Sequence, residues 1–196
     1  MWDRLIKLIH SAADDVHFPP TVLYNENWML RLVLDCMVDG GSSSLLPVTA
    51  GAKWYSEALL RSAFLPRYRR DPLAESYTHA DGVVGHFHIG RCGTTDLEVL
   101  PEAKQLTVLE GKVFSKLSSG VSNARYFDQA ARSVACMAEV LRASNVPPDA
   151  MEHLSFHLVA PRIQIESGVF GRLVTRPSME TKVRRRVAEY EGNRDD

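Results

Sequence analysis

The chain has 196 residues, of which 45% are hydrophobic and 24% are charged, and this composition is typical of a folded protein of one domain. Its net charge of −1 gives no indication of a polyanionic partner, and its three cysteines lack the CxxC spacing of a zinc knuckle. Because the sequence has neither a long apolar run nor the pattern of a signal peptide, we expect a cytoplasmic protein with no membrane partner.

Three helices are predicted in the first third of the chain. Apolar residues recur at helical spacing in residues 2–12 and again in residues 25–41, where a pair of glycines follows the last apolar residue. A third stripe of apolar residues in 51–65 also has helical spacing and stops before Pro66.

The pattern then changes to one that is typical of strands. Residues 80–90, 96–100 and 105–114 are rich in β-branched and apolar residues and are bounded by turn residues. A long amphipathic helix over 124–143, a buried strand over 153–161 and a final helix over 179–192 complete the order. This order predicts a mixed α/β fold in which the strand at 153–161 lies parallel to the strand at 105–114.

Charged residues end the two short apolar runs at 96–100 and 105–114. A hairpin whose turn centres on Ala103 would place Asp96 directly opposite Glu110, with Lys112 on the same face as Glu110. Two unit charges 5 Å apart repel by roughly 3 kcal/mol at an effective dielectric constant of 20. A shared proton or a bound Mg²⁺ or Mn²⁺ ion would neutralise such a pair.

The order "TD", a short hairpin, "EGK" and a long helix containing "DQAAR" resembles the PD-(D/E)XK nuclease superfamily. That resemblance implies a restriction-endonuclease-like αβββαβ core in residues 51–161, preceded by a helical elaboration in 1–50 and followed by a C-terminal helix and tail in 162–196. The chain as a whole, 1–196, is then one domain. Metal ligation is implied for Asp96, Glu110 and the Gly111 carbonyl, a role on the attacking water for Lys112, and supporting roles for Glu57 on the preceding helix and Gln129 on the following one.

Several candidate residues have alternative interpretations. Asp81 is the second choice for the metal aspartate because it opens a strand, although Asp-Gly is also a common turn pair. Asp96 and Lys112 would also be compatible with a structural salt bridge. Glu57 could pair on a helix surface with lysine and arginine four residues away on either side, and Gln129 could hydrogen-bond a strand end.

The histidines raise the possibility of zinc. His86 and His88 would share one face of a strand, and His79 lies nearby in sequence. A third ligand at a suitable spacing is not evident, so core or surface roles are favoured for these residues.

These observations lead us to expect a Mg²⁺- or Mn²⁺-dependent nuclease that hydrolyses phosphodiester bonds, with DNA as its partner. The alternative is a nuclease-like domain of little or no activity that binds nucleic acid or a protein. Because residues 25–41 are apolar nearly all round, we also expect a homodimer formed through the first two helices.

Overall fold

The computed structural model describes residues 25–38, 46–90, 96–113, 115–120 and 124–192. In these ranges the protein is an α/β structure with a mixed four-stranded sheet, a small two-stranded sheet and helices packed on the larger sheet. No helix in the described part of the chain is both long and apolar enough to cross a membrane.

The described part of the chain contains four α-helices and six strands. The helices are α1 (Glu26–Val38), α2 (Gln129–Ala143), α3 (Arg162–Glu166) and α4 (Arg176–Gly192). The strands are β1 (Lys53–Arg61), β2 (Tyr77–Gly85), β3 (Phe87–Ile89), β4 (Leu97–Val99), β5 (Gln105–Gly111) and β6 (His153–Val159).

The large sheet has the strand order β1-β2-β5-β6. β2 lies antiparallel to both β1 and β5, whereas β6 lies parallel to β5 after the connection through α2. The predicted parallel pairing is therefore confirmed. β5 is buried along its whole length, as expected of a central strand covered on both faces.

The helix predicted over residues 51–65 is wrong, because most of this segment forms β1. Its apolar residues occur at helical spacing since both faces of the strand are covered. Ala58 and Leu60 are buried in the core beneath α2, and Trp54 packs into the core beneath α1. A strand that is buried on two faces need not show a regular alternation of apolar and polar residues.

The predicted hairpin between residues 96–100 and 105–114 is also wrong. β4 pairs with β3 in the small sheet, and Leu97 lies opposite Ile89. β5 instead pairs with β2 in antiparallel fashion, through four residue pairs from Gly82–Leu109 to Gly85–Leu106. Proximity in the sequence therefore did not decide which strands pair.

Two helices cover opposite faces of the large sheet. α2 packs over a core that includes Val83, Leu106 and Val108, whereas α1 inserts Leu30 and Leu34 into a smaller core on the other face. α1 contacts β1, β2 and β5.

The remaining predicted helices have different outcomes. The helices predicted over 25–41, 124–143 and 179–192 are confirmed as α1, α2 and α4 within the described ranges. The helix predicted over residues 2–12 lies outside the described residues. α4 is held by Arg186, whose side chain is fully buried and donates to Glu75 at 3.0 Å.

Gly85 allows the chain to leave β2 and enter β3. Its φ is +153°, and a Cβ atom at this position would lie 2.1 Å from the carbonyl oxygen of Gln105 on the adjacent strand. We expect Gly85→Ala to lower the free energy of unfolding by about 3 kcal/mol, because main-chain atoms must move to admit the methyl group. Urea denaturation measures the effect. Gly192→Ala is the control because its Cβ has open space, and an equal loss in both variants would contradict the explanation.

Candidate active site

β2 and β5 separate at one end of the sheet, and a carboxylate fills the gap. Their four residue pairs end at Gly82 and Leu109, and the same register continued by one residue places Asp81 opposite Glu110. The N–H of Gly111 donates at 2.9 Å to Oδ2 of Asp81. The aspartate side chain thus takes the place of a main-chain acceptor at the point where the ladder stops.

The alternation of side chains breaks at the same level in β1 and β2. Ser56 accepts a hydrogen bond from a side chain of α1, whereas Ala58 is buried in the core beneath α2. In β2, Ala80 is in the core beneath α2, whereas a Cβ on Gly82 would meet side chains of α1. Residues two apart on a regular strand share a face, so the pleat is interrupted here. Glu57, at the break, has a φ of +62°.

Glu110 and Lys112 are joined by a hydrogen bond at the end of β5. Glu110 is 1% exposed, and Nζ of Lys112 lies 2.6 Å from its Oε1. Burial raises the pKa of Glu110 to about 8, the negative charge of Asp81 adds to the rise, and the hydrogen bond from Lys112 opposes it. Near neutral pH, Glu110 therefore retains its proton beside the side chain of Asp81.

Glu26, in the first turn of α1, completes the group. Its Oε2 lies 3.5 Å from Nζ of Lys112, and its Oε1 accepts hydrogen bonds from the N–H of Val113 and from the hydroxyl of Ser115. Burial alone would raise the pKa of Glu26, but these donors and the charge of Lys112 lower it overall. Glu26 is therefore a carboxylate on α1 that contacts the ammonium group of Lys112.

Gly111 lies where α1 approaches β5. A Cβ atom at Gly111 would lie 3.4 Å from the carbonyl oxygen of Glu26 and 3.7 Å from Oδ2 of Asp81. These are ordinary van der Waals distances, so α1 and Asp81 pack against this position of β5.

Lys112 stays positively charged in this setting. Burial lowers its pKa, but the hydrogen bond with Glu110 and the charges of Glu110, Glu26 and Asp81 raise it overall. One ammonium group faces three carboxyl groups, so the site has an excess of negative charge whenever Glu110 ionises.

Asp96 does not lie opposite Glu110, contrary to the predicted hairpin. It forms an isolated parallel bridge with Leu59 of β1. Leu59 pairs with His79 of β2. If the β2–β5 register is continued, His79 is level with Lys112. Two strands therefore lie between Asp96 and β5, a main-chain separation of about 14 Å for strands spaced by 4.7–4.9 Å.

The structure places Glu57 on a strand rather than on a helix. In the β1–β2 register Glu57 is opposite Asp81, and its Oε2 lies 3.8 Å from Nδ1 of His79. The glutamate that lies on a helix and contacts Lys112 is Glu26. The signal in the sequence was weak: an asparagine that caps the helix, followed by a glutamate in its first turn.

Gln129 begins α2, beyond the loop that leaves β5. Its Oε1 accepts hydrogen bonds from the N–H and the hydroxyl of Ser118, at 3.4 and 3.0 Å. Among the described residues, no hydrogen bond joins Gln129 to Glu110 or Lys112. Its observed contact is with the loop.

The histidines considered for zinc do not form a cluster. Nε2 of His86 lies 3.0 Å from the carbonyl oxygen of Ala50, and its Nδ1 accepts from the N–H of Lys104 at 3.3 Å. His88 is exposed on β3. Across the ranges that the structure describes, no three His, Cys, Asp or Glu side chains are grouped so that they could hold a metal ion.

The donor chemistry at the end of β5 fits a hard divalent cation better than it fits zinc. Asp81 and Glu110 supply carboxylate oxygens, and the carbonyl of Gly111 is adjacent. Mg²⁺ binds oxygen ligands and keeps several waters, so one or two carboxylates are enough to hold it. A cation would also neutralise the charge that the retained proton of Glu110 neutralises now.

Comparisons of the chain with models of protein families, with curated proteins and with solved structures find no match.

We expect Glu110 to make the protein less stable as the pH rises. The pKa of Glu110 is about 8 in the folded protein against an ordinary value of 4.5, so between these values the folded state binds the extra proton. The contribution of this proton to the free energy of unfolding is therefore complete below pH 4.5 and is lost as the pH rises through 8. The total loss is a few kcal/mol at most. Urea denaturation without divalent cations should show this fall in the parent and a smaller fall in Glu110→Gln. Parallel pH profiles in the two proteins would contradict the raised pKa of Glu110.

Proposed function

We propose that this protein is a Mg²⁺- or Mn²⁺-dependent nuclease of the PD-(D/E)XK type that hydrolyses phosphodiester bonds in DNA. One observation carries the proposal: Asp81, Glu110 and Lys112 meet where β2 and β5 separate. A buried arrangement of carboxyl groups lowers the stability of the fold, and its presence therefore indicates a function. Cation binding fits such an arrangement.

The order of the elements supports the same proposal. Without the small β3–β4 sheet, the order is α1, β1, β2, β5, α2 and β6, which matches the αβββαβ core of the restriction-endonuclease-like fold. In this proposed correspondence the first core helix is α1, so the core begins at Glu26 rather than at residue 51. The aspartate then lies on the second core strand and the "EGK" motif on the third.

Asp81, Glu110 and the main-chain carbonyl of Gly111 are the proposed ligands of the cation. When bound, the cation supplies Lewis-acid polarisation of a phosphoryl oxygen and lowers the pKa of a coordinated water. Asp81 is held in position for this role because its Oδ2 also accepts from the N–H of Gly111.

Lys112 is proposed to orient the attacking water and to stabilise the negative charge that develops on the phosphate. Its ammonium group lies at the edge of the sheet, between Glu110 and Glu26. A preorganised positive charge in a partly buried site stabilises a transition state more strongly than the same charge in water. Glu26 is the positioning residue, since it contacts the ammonium group while being held by two donors of its own.

A second candidate function is a nuclease-like domain that binds nucleic acid or a protein without efficient cleavage. Two observations favour it: Nζ of Lys112 is occupied by Glu110 at 2.6 Å, and the described residues contain no three-residue metal cluster. The two candidates differ in whether divalent cations support turnover.

The homodimer stays a prediction. α1 uses Leu30 and Leu34 to cover the sheet of its own chain and leaves Trp28 and Leu32 exposed. The other helix of the predicted interface, over residues 2–12, lies outside the described residues.

We expect Asp81→Asn to abolish cleavage and Asp96→Asn to retain it. Only Asp81 lies beside Glu110, so only its neutralisation removes a proposed cation ligand. The assay incubates supercoiled plasmid, linear duplex, single-stranded DNA and RNA with Mg²⁺ or Mn²⁺ and follows the products on gels. We expect a loss of several orders of magnitude in turnover for Asp81→Asn.

Two results would contradict the proposal. Activity in Asp81→Asn equal to that of the parent would exclude the assigned ligand. If the folded parent protein cleaves none of the substrates with either cation, the non-catalytic binding function would replace the nuclease.

A further inference from the structure

An exposed tryptophan and an arginine lie together on α1, close to the candidate active site. The Trp28 side chain is 40% exposed, and the guanidinium carbon of Arg31 lies 5.4 Å from the centroid of its ring. The main-chain N–H of Trp28 donates at 2.9 Å to Oδ1 of Asn25, and this hydrogen bond caps the first turn of the helix. An aromatic ring is thus presented to solvent on an ordered turn.

Arg31 connects this pair to the sheet. Its Nε donates at 3.0 Å to the hydroxyl of Ser56 on β1. Arginine has five N–H donors, and within the described part of the chain no other hydrogen bond to Arg31 is observed. The guanidinium group is therefore fixed in orientation while donors remain for a further ligand.

The Trp28–Arg31 pair lies beside the candidate active site. Ser56 is paired with Gly82, the residue that follows Asp81. One strand spacing and one residue of rise separate the Cα atoms of Ser56 and Asp81, a distance of about 6 Å. Glu26, which contacts Lys112, precedes Trp28 by two residues, so the two side chains leave different sides of α1 and Arg31 is the member of the pair that reaches the sheet.

We propose that Trp28 and Arg31 form a stacking platform for an unpaired base, so that the site acts on single-stranded or locally unpaired nucleic acid. This inference rests on the proposed function, because it names the substrate of the same site. An exposed indole ring stacks on any base, and a neighbouring guanidinium group binds the backbone phosphate. Bases inside a duplex have both faces covered, so this platform selects unpaired ones.

The chemistry of the pair distinguishes this ligand from others. A patch that bound an apolar protein surface would need more apolar side chains than the exposed Trp28 and Leu32, and α1 also carries the charged Arg31 and Asp35 on its accessible residues. The combination of one aromatic ring with one guanidinium group that has no carboxylate partner among the described residues fits a nucleotide, which has a stacking surface and a negative charge.

The test measures binding by the whole protein without divalent cations, so that no cleavage occurs. The probe is a fluorescein-labelled oligothymidylate of about 20 nucleotides, long enough to exceed a typical single-strand binding site. Fluorescence anisotropy follows its binding, and a labelled duplex serves for comparison. We expect the oligothymidylate to bind more tightly than the duplex, with an affinity that falls as salt is raised.

Trp28→Ala should weaken oligothymidylate binding about tenfold or more, the effect of losing one stacked base. Trp28→Phe should keep most of the affinity, since an aromatic ring remains. Leu32→Ala is the matched control, because Leu32 is 56% exposed on the same helix. Its affinity should equal that of the parent. Circular dichroism of each variant confirms that the helix is retained.

Three outcomes would overturn the platform: no binding of oligothymidylate, equal binding of the duplex, or parental affinity in Trp28→Ala. The outcome for the nuclease itself is separate. Binding that depends on Trp28 without any cleavage in Mg²⁺ or Mn²⁺ would keep the platform and reject the nuclease. Cleavage that is unaffected in Trp28→Ala would do the opposite.

Discussion

The hydrogen bond from the N–H of Gly111 to Oδ2 of Asp81 is the interaction on which the rest of the site depends. It occurs where the β2–β5 ladder stops, so a side-chain carboxylate replaces a main-chain acceptor. The same bond holds Asp81 next to the buried Glu110, whose pKa rises to about 8. Lys112 and Glu26 then complete an arrangement that is only partly neutralised. Carboxyl groups are therefore brought together where the β2–β5 ladder stops, and a cation can neutralise their negative charge.

Much of the fold could be predicted because its elements have clear periodicity. α2 has an apolar stripe and an aspartate cap, and β5 has an uninterrupted apolar run. β1 could not be identified, since its apolar residues contact cores on both faces and occur at helical spacing. The pairing of β4 also could not be predicted. The choice between β3 and β5 depended on β2, which supplies a longer partner for β5 than β4 does.

Part of the site was recognisable from the sequence for a physical reason. Glu110 and Lys112 end a buried strand, where unpaired charges are costly, and this cost pointed to a site. The expected opposition of Asp96 and Glu110 is wrong, and the carboxyl group beside Glu110 is that of Asp81. Register decides such a partner, and no local pattern encodes it. Glu26 had even less signal, because only the packing of α1 on the sheet brings it to Lys112.

Calorimetric titration with Mn²⁺ at pH 7, in two buffers of different ionisation enthalpy, tests the central claim most directly. If Glu110 exchanges its retained proton for a cation, binding should release close to one proton per ion, and the observed heat should differ between the buffers. Asp96→Asn should behave as the parent protein does. An absence of Mn²⁺ binding, or a binding heat that is the same in both buffers, would contradict the account.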